Sequence, residues 1–326
     1  MNTGLRITAF AAAIVATFGT AYGVGASIDP VVAEKPPAAH DEHAEAGGEE
    51  AGEKAEGGHD GASGAAGGLQ ISEGGYTLAL DTPRVAAGKP STLRFSVKDD
   101  SGRSLTSYAR EHGKELHFIV ASRDLTVYRH LHPTRAADGT WSVAAKLPAA
   151  GGYRAFADFK PAGKGATGIT LGADLAVSGR SEPAALPPVR ATAEVDGYQV
   201  TLDGALTPGK AHELTLSVSR DGKPVTDLQP YLGAYGHLVA LRAGDLAYLH
   251  VHPNGEPDDG VTEPGPEVSF TATAPSPGAY RLFLDFQHKG EVRTAAFTVD
   301  VPAAGAGESE EAEDSTESEE SGSHGH

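Results

Sequence analysis

The chain has 326 residues and a formal net charge of −18, with no cysteine and a single methionine, Met1. The absence of cysteine excludes disulfides, thiolate metal sites and thiol catalysis, and the lack of internal methionine excludes thioether ligation of Cu(I). So acidic a chain is a poor candidate for binding nucleic acid, because phosphate contacts need a basic surface.

The first predicted element is an apolar N-terminal segment, residues 1–28. Residues 7–28 carry no charge, Arg6 precedes them and Asp29 follows. About 20 apolar residues can cross a bilayer, and small residues ending at Ala26 also form a cleavage site, so a cleaved signal peptide and a retained anchor are both open. Either one places the rest of the chain outside the cytoplasm, secreted or anchored in the cell membrane.

Two segments hold most of the negative charge. Residues 29–68 are predicted to be a disordered acidic linker and residues 303–326 a disordered acidic tail, because segments so charged and so poor in apolar residues do not repay the entropy of folding. Solvated spacers are the simpler interpretation of both. Carboxylates mixed with imidazoles also bind divalent metals loosely. The histidines in these segments are His40, His43, His59, His324 and His326.

The middle of the chain contains two copies of one domain, predicted at residues 69–179 and 191–302, with a proline-rich linker at 180–190. A period of about 120 residues indicates a duplicated domain rather than a solenoid repeat. The matching pieces are HFIV at 117–120 with HLVA at 237–240, YRHLHP at 128–133 with YLHVHP at 248–253, and GYRAFADF at 152–159 with AYRLFLDF at 279–286.

Each copy is predicted to be all-β, because short alternating runs are separated by glycine, proline and Asp-Gly turns. About seven strands in about 105 residues is the scale of an immunoglobulin-like sandwich. Tyr153 and Tyr280 each follow a turn and open a strand, which predicts a tyrosine corner in both copies. The predicted fold is two tandem immunoglobulin-like β-sandwich domains, preceded by an N-terminal hydrophobic helix.

The period of two along a strand assigns the faces of the strand that follows each of these turns. If Tyr153 points inward, Phe156 and Asp158 point outward, and Phe283 and Asp285 do the same in the second copy. An outward phenylalanine beside an aspartate indicates a functional or contact face. An ordinary sheet surface is an equal alternative, because proteins expose much apolar surface.

The candidate metal ligands are three histidines and one aspartate in each copy. A His-x-His pair on a strand places both imidazoles on one face, about 6.5–7 Å apart at the backbone, from where they can converge on a metal at about 2.0–2.1 Å. Three nitrogens and one carboxylate oxygen suit Cu(II) or Zn(II). The two predicted sites are His117, His130, His132 and Asp158, and His237, His250, His252 and Asp285.

A structural explanation of these residues stays open. A His-x-His pair alone is a weak signal, and side-chain to backbone bonds needed by the fold would also place the same residue types in both copies. The remaining histidines of the middle region, His112, His212 and His288, have no counterpart in the other copy and are interpreted as ordinary surface residues.

On the His…His-x-His-Pro stretch and the Tyr-Arg-x-Phe-x-Asp-Phe strand of each copy, the chain resembles exported bacterial proteins for heavy-metal or copper handling with tandem immunoglobulin-like β-sandwich modules. These two segments are a minority of the chain. The resemblance implies a secreted or membrane-anchored metal buffer or chaperone.

The sequence therefore predicts an extracytoplasmic divalent-metal-binding protein, a buffer or carrier of Cu(II) or Zn(II). The alternative is a non-enzymatic structural or interaction module that presents tandem sandwiches at the cell surface. A metalloenzyme is the least favoured, since the sequence has no Gly-x-Ser-x-Gly elbow, phosphate-binding glycine loop or His-Glu-x-x-His helix. The predicted partners are the metal ion and, if the N-terminal segment is uncleaved, the membrane; no nucleic acid is expected.

Overall fold

The structure is a computed structural model that describes residues 66–249 and 251–303, and for His252 the backbone alone. Regular structure in these residues consists of twenty strands, which confirms the predicted all-β class. Within the described ranges, no helix has the length and apolar character needed to cross a membrane. The predicted signal or anchor, most of the acidic linker, the acidic tail beyond residue 303 and His250 lie outside the described residues.

The first repeat is a sandwich of two five-stranded sheets, in the orders β1-β2-β4-β8-β7 and β3-β10-β9-β5-β6. Its strands are β1 (Ser72–Glu73), β2 (Tyr76–Leu80), β3 (Arg84–Ala86), β4 (Pro90–Asp99), β5 (Leu116–Ser122), β6 (Tyr128–Leu131), β7 (Thr134–Arg135), β8 (Trp141–Lys146), β9 (Gly151–Phe159) and β10 (Ile169–Ser178). Strands β2, β4, β8 and β7 take the A-B-E-D places of an immunoglobulin-like fold, and β5, β9 and β10 take the C-F-G places.

The second repeat has the same arrangement, with sheet orders β11-β12-β13-β18-β17 and β16-β15-β19-β20 and with β14 paired to β13. Its strands are β11 (Thr192–Val195), β12 (Tyr198–Asp203), β13 (Ala211–Arg220), β14 (Lys223–Pro224), β15 (His237–Arg242), β16 (Tyr248–Leu249), β17 (Val251–Pro253), β18 (Glu267–Thr273), β19 (Gly278–His288) and β20 (Glu291–Val301). The chain is therefore a tandem of two immunoglobulin-like sandwiches.

The predicted tyrosine corners are confirmed in both repeats. The phenol of Tyr153 donates a hydrogen bond to the carbonyl oxygen of Ala149 at 2.8 Å, and Tyr280 donates to Ser276 at 2.8 Å. Both tyrosines are almost fully buried. Each bond satisfies a polar group inside an apolar core and fixes the turn that precedes β9 or β19.

The faces predicted for β9 are also confirmed. Tyr153, Ala155, Ala157 and Phe159 all belong to the core of the first sandwich. Inside that core Phe95 stacks on Phe118 with ring centroids 4.1 Å apart, so the two facing sheets interlock. Burying each such phenylalanine contributes about 1.5–3 kcal/mol relative to leaving it exposed.

The two sandwiches pack against each other through an apolar layer, which we call the seam. Tyr128 stacks on Phe283 with ring centroids 4.1 Å apart and an interplanar angle of 6°. The outward Phe156 and Phe283 are both buried in this layer, so the contact face that they mark lies inside the molecule. The seam is formed by Ile119, Ala121, Leu125, Tyr128, Phe156, Val239, Leu241, Leu246, Tyr248 and Phe283.

A short segment before β1 ties the repeats together, which corrects the predicted end of the acidic linker at residue 68. Gly67 exchanges two backbone hydrogen bonds with Tyr248 of the second repeat, at 3.2 and 2.9 Å, and Gly68 donates to Thr170 of β10 at 2.8 Å. The Arg154 guanidinium donates to the carbonyl oxygens of Gly68 and Leu69, both at 2.7 Å. High charge and a low apolar content predicted disorder up to residue 68, and neither property registers backbone hydrogen bonds to distant strands.

Candidate metal centre at the seam

Three histidines, two from the first repeat and one from the second, meet beside the seam. His117 lies on β5, His130 on β6 and His237 at the start of β15. One ring nitrogen from each lies within 4.8 Å of the other two. The three pairs of ring centroids are 5.3, 5.2 and 4.7 Å apart.

Strand alternation explains why these rings reach the seam. On β5 the side chains of His117, Ile119 and Ala121 share one face, because neighbours two residues apart point the same way. Ile119 and Ala121 belong to the seam, so His117 extends the same face by one position. Tyr128 and His130 on β6 follow the same rule. The sequence thus places imidazoles where two apolar faces meet.

Asp285 links the repeats through His130. Its Oδ2 lies 2.9 Å from His130 Nδ1, and the two side chains are 2% and 3% exposed. The Thr294 hydroxyl donates to the other carboxylate oxygen at 2.5 Å. A carboxylate that accepts the Nδ1 proton holds the ring in the tautomer whose Nε2 is free to bind a metal. Asp285 is therefore placed to orient a ligand of the first repeat from the second.

The partners of His117 and His130 leave two ring nitrogens facing each other. His117 Nε2 donates to the carbonyl oxygen of Glu111 at 3.4 Å, and His130 Nδ1 donates to Asp285. In neutral rings His117 Nδ1 and His130 Nε2 then direct lone pairs at each other across 3.1 Å. Facing lone pairs repel unless a cation lies between or beside them, either a proton or a metal ion. Two nitrogens bound to one tetrahedral zinc ion at about 2.0–2.1 Å lie roughly 3.3 Å apart.

Two further imidazoles flank the three. The ring of His132 lies 4.9 Å from that of His130 and 6.1 Å from that of His117, and its buried Nε2 has no hydrogen-bond partner. The ring of His112 lies 6.2 Å from His117 and 6.0 Å from His237. An orphaned buried nitrogen is unusual and indicates either strain or a missing ligand.

Burial keeps these rings in the form that binds metal. Desolvation, helped by the neighbouring His130, lowers the pKa of His117 to about 4. The same two causes lower the pKa of His132 to about 3. Burial, with His130 and His117 adding to it, lowers the pKa of His237 well below its ordinary value. His117, His132 and His237 are therefore neutral at pH 7, so a metal does not have to displace a proton from these rings.

The structure groups the predicted ligands differently from the two separate sites expected. His117 pairs across the strands with Asp158, and His237 with Asp285, as the sandwich topology implies. Asp158, however, accepts a hydrogen bond from Thr170 at 2.9 Å and lies outside the three-histidine cluster. The repeats instead supply different members of one cluster. A ligand set predicted from the repeated pattern assigns a separate site to each repeat, so it does not show that both repeats contribute to one cluster.

The second copy of the His-x-His pair is less fully described. His250 lies outside the described residues. The backbone of His252 lies on β17, where its partner across the strands is Thr271 of β18. Strand β17 takes the place of β7 in the first repeat, since β17 pairs with β18 as β7 pairs with β8, and β16 pairs with β15 as β6 pairs with β5. Both His-x-His-Pro stretches therefore lead from one sheet of their sandwich to the other.

Two histidines that the sequence assigned to the surface are buried or half-buried in the structure, His288 and His112. His288 is 4% exposed, with Nδ1 2.6 Å from the Tyr198 phenol and Nε2 3.0 Å from Asp227 Oδ1, so it is a buried polar link of the second core. No sequence signal marks it. His112 borders the cluster, and its position five residues before His117 is the only sequence signal available.

One family model covers most of the chain. The model described as "Domain of unknown function (DUF8832)" matches residues 70–170 and 193–303, one range in each sandwich. The chain belongs to this family. No curated protein matches it.

Solved structures give only distant similarity. FdeC, an Escherichia coli adhesin, is 15% identical over 71% of this chain and 65% of its own, with a TM-score of 0.22. Domains 5–6 of the S-layer protein SbsC are 15% identical over 70% of this chain and 97% of their own, with a TM-score of 0.22. Invasin, a bacterial integrin-binding protein, is 14% identical over 72% and 41%, with a TM-score of 0.21. The chain spans less than two thirds of FdeC and invasin, and the fold assignment rests on strand order alone.

Proposed function

We propose that this protein binds one divalent transition-metal ion, Cu(II) or Zn(II), at the histidine cluster between its repeats. The observation that carries the proposal is the convergence of ring nitrogens from His117, His130 and His237 to within 4.8 Å of one another. Imidazole suits both ions, and a set of three leaves a fourth position for water or for another side chain. In this role the protein is a buffer or carrier and not an enzyme.

The same convergence sets the stoichiometry of the proposal at one ion per chain. A site in each repeat would need a full ligand set on each side of the seam. Here His117 and His130 come from one repeat, while His237 and the orienting carboxylate of Asp285 come from the other. Among the described residues neither repeat supplies the whole set, so in this proposal loss of a ligand from either repeat removes the same site.

The proposed setting is outside the cytoplasm, as a secreted or membrane-anchored protein. It is supported by the uncharged residues 7–28 that follow Arg6. The acidic segments add carboxylates and five histidines, which would hold metal loosely near the tighter site. Such segments fit a buffer, because weak ligands raise the local concentration of an ion that a stronger site then takes.

A structural or interaction module is the second candidate. It is favoured by the tandem of sandwiches, whose repeats are joined through an apolar seam. In that case metal would have no effect on partner capture. Pull-downs from membranes with and without a chelator separate the two: identical captured proteins in both arms favour the module, and chelator-sensitive capture favours the metal protein.

The direct test is calorimetric titration of the metal-free full chain with zinc chloride. We expect about one tight site, with a Kd of about 1 μM or lower, above a background of weak sites in the acidic segments. His237→Gln should weaken that one site strongly although His117 and His130 remain. His212→Gln is the control, because His212 bonds to Thr207 in the second repeat, away from the cluster.

Two results would reject the proposal. One is the absence of a tight site in the unaltered chain. The other is a His237→Gln chain that still binds one ion at the original affinity, because that outcome is expected if the ion binds at an independent site that does not need His237. Circular dichroism on each variant shows whether a loss of binding has a folding cause.

A further inference from the structure

His112 lies at the edge of the histidine cluster, on a tight turn between Glu111 and Lys114. Those two residues exchange backbone hydrogen bonds at 2.9 and 3.0 Å, so the turn closes on itself. His112 and Gly113 both have positive φ, 51° and 74°. The turn directs a half-buried imidazole toward rings from both repeats, 6.2 Å from His117 and 6.0 Å from His237.

The second repeat has the same turn with a different side chain. Tyr231 and Ala234 close it, and Leu232 and Gly233 have φ values of 57° and 76°. Leu232 stands five residues before His237, as His112 stands five before His117. The left-handed backbone is thus a property of the fold, and the imidazole is particular to the first repeat. A Cβ added to Gly233 would lie 3.6 Å from the Cα of His112, so the two turns are neighbours.

Two side chains of the cluster are more buried than His112. His117 is 4% exposed and the side chain of His130 is 3% exposed, whereas His112 and His237 are both half-buried. A hydrated ion cannot reach the inner nitrogens without first losing water molecules. An imidazole at the boundary with solvent replaces the first of them while the ion is still partly hydrated.

The geometry points to His112 as the entry ligand of the site: it takes the metal ion at the surface and passes it to His117 and His237. This inference rests on the proposed function. An entry ligand changes the barrier between free and bound metal and leaves both end states nearly as they were. It therefore changes association and dissociation together.

The test is stopped-flow mixing of the metal-free full chain with zinc, and of the zinc-loaded chain with a chelating dye, for the unaltered protein and for His112→Leu. Leucine is the residue that the second repeat carries on the same turn, so the backbone tolerates it. We expect both rate constants to fall by about tenfold while Kd stays within about threefold, whereas loss of an ordinary ligand shows mainly in dissociation. His212→Leu, which removes a remote histidine, should change neither rate.

The outcomes separate this inference from the function it rests on. Unchanged rates in His112→Leu would show that His112 takes no part in the entry of the metal ion. A faster dissociation with a weaker Kd and unchanged association would make His112 a permanent ligand. Either result overturns the entry role while zinc binding by the protein stands. Absence of zinc binding in the unaltered chain overturns both.

Discussion

The two repeats share one fold but differ at the outer edge of the sheet that faces the seam. In the first repeat, Gly172 of β10 leaves room for the carbonyl oxygen of Gly68, which would lie 2.0 Å from a Cβ at that position. In the second, the equivalent strand β20 carries Ala296, opposite Phe283 as Gly172 is opposite Phe156. A Cβ at position 172 would exclude the Gly68 segment from the edge of β10, whereas β20 accepts a backbone hydrogen bond from Arg190 of the linker at Thr298.

The histidine cluster shows the same asymmetry. Duplication supplied both repeats with equivalent histidines, yet the described cluster takes two rings from one repeat and one from the other. Asp158 and Asp285 each accept a hydrogen bond from a threonine, Thr170 and Thr294, and Asp285 also accepts one from His130 of the other repeat. Among the described residues, the seam between two similar scaffolds brings histidines from both repeats into one cluster.

The largest effect is expected from the seam itself. Phe283→Ala removes a ring that is 3% exposed and stacked on Tyr128, and should cost about 3–5 kcal/mol of unfolding free energy. If the cluster needs both repeats, zinc affinity should also fall at least about tenfold, although Phe283 is no ligand. Urea denaturation and calorimetry measure the two effects.

Matched variants sharpen this result. Phe156→Ala, the equivalent change in the first repeat, should behave alike because Phe156 is fully buried in the same seam. Val261→Ala, at a side chain 84% exposed, should change stability by less than about 0.5 kcal/mol. Full zinc affinity in a destabilised Phe283→Ala chain would contradict a shared centre.

Local pattern made much of the fold predictable. Alternation along residues 152–159 gives the inward and outward faces, and the turn before Tyr153 gives the tyrosine corner, because both depend on neighbours in sequence. Repetition of the pattern gives the tandem arrangement. The sequence marked Phe156 and Phe283 as an outward contact face, but it did not show that the two repeats cover this face in each other.

The composition of the cluster was beyond such reasoning. The sequence identifies His117, His130 and His237 as candidate ligands, since each repeats in equivalent positions. That His130 meets Asp285, 155 residues away, depends on how two finished sandwiches dock. Docking is set by the total shape of two apolar faces, which no short pattern encodes. The ordered positions of Gly67 and Gly68 were also not predictable, because composition carries no information about backbone hydrogen bonds to distant strands.

The next comparison exchanges the residues at the two sheet edges. Gly172→Ala gives the first repeat the residue of the second, and its Cβ would collide with the Gly68 carbonyl oxygen and the Arg154 side chain. We expect a cost of about 1–3 kcal/mol, with faster amide hydrogen exchange at Gly68 as the segment leaves the edge. Ala296→Gly should cost at most about 1 kcal/mol, through backbone entropy. Equal effects of the two changes would refute a specific role for the edge glycine.

The smallest effect concerns a core position that is ionisable in one repeat only. Tyr108 stands nine residues before His117, and the buried Leu228 stands nine before His237. Burial raises the pKa of Tyr108 to about 12; nearby Glu115 also raises it, while the Trp141 hydrogen bond and Arg135 oppose the shift.

The sign of the pH effect follows from that shift. The unfolded chain loses the phenol proton near pH 10 and the folded chain near pH 12, so the contribution of Tyr108 is complete below pH 10 and declines as pH rises to 12. The decline has a limit of about 1.4 kcal/mol per pH unit. Urea denaturation at pH 9, 10.5 and 12 should therefore show a smaller loss of stability for Tyr108→Phe than for the unaltered chain. Equal losses would mean that the phenol ionises as easily in the core as in water, and that Tyr108 adds no pH dependence to the stability of the first repeat.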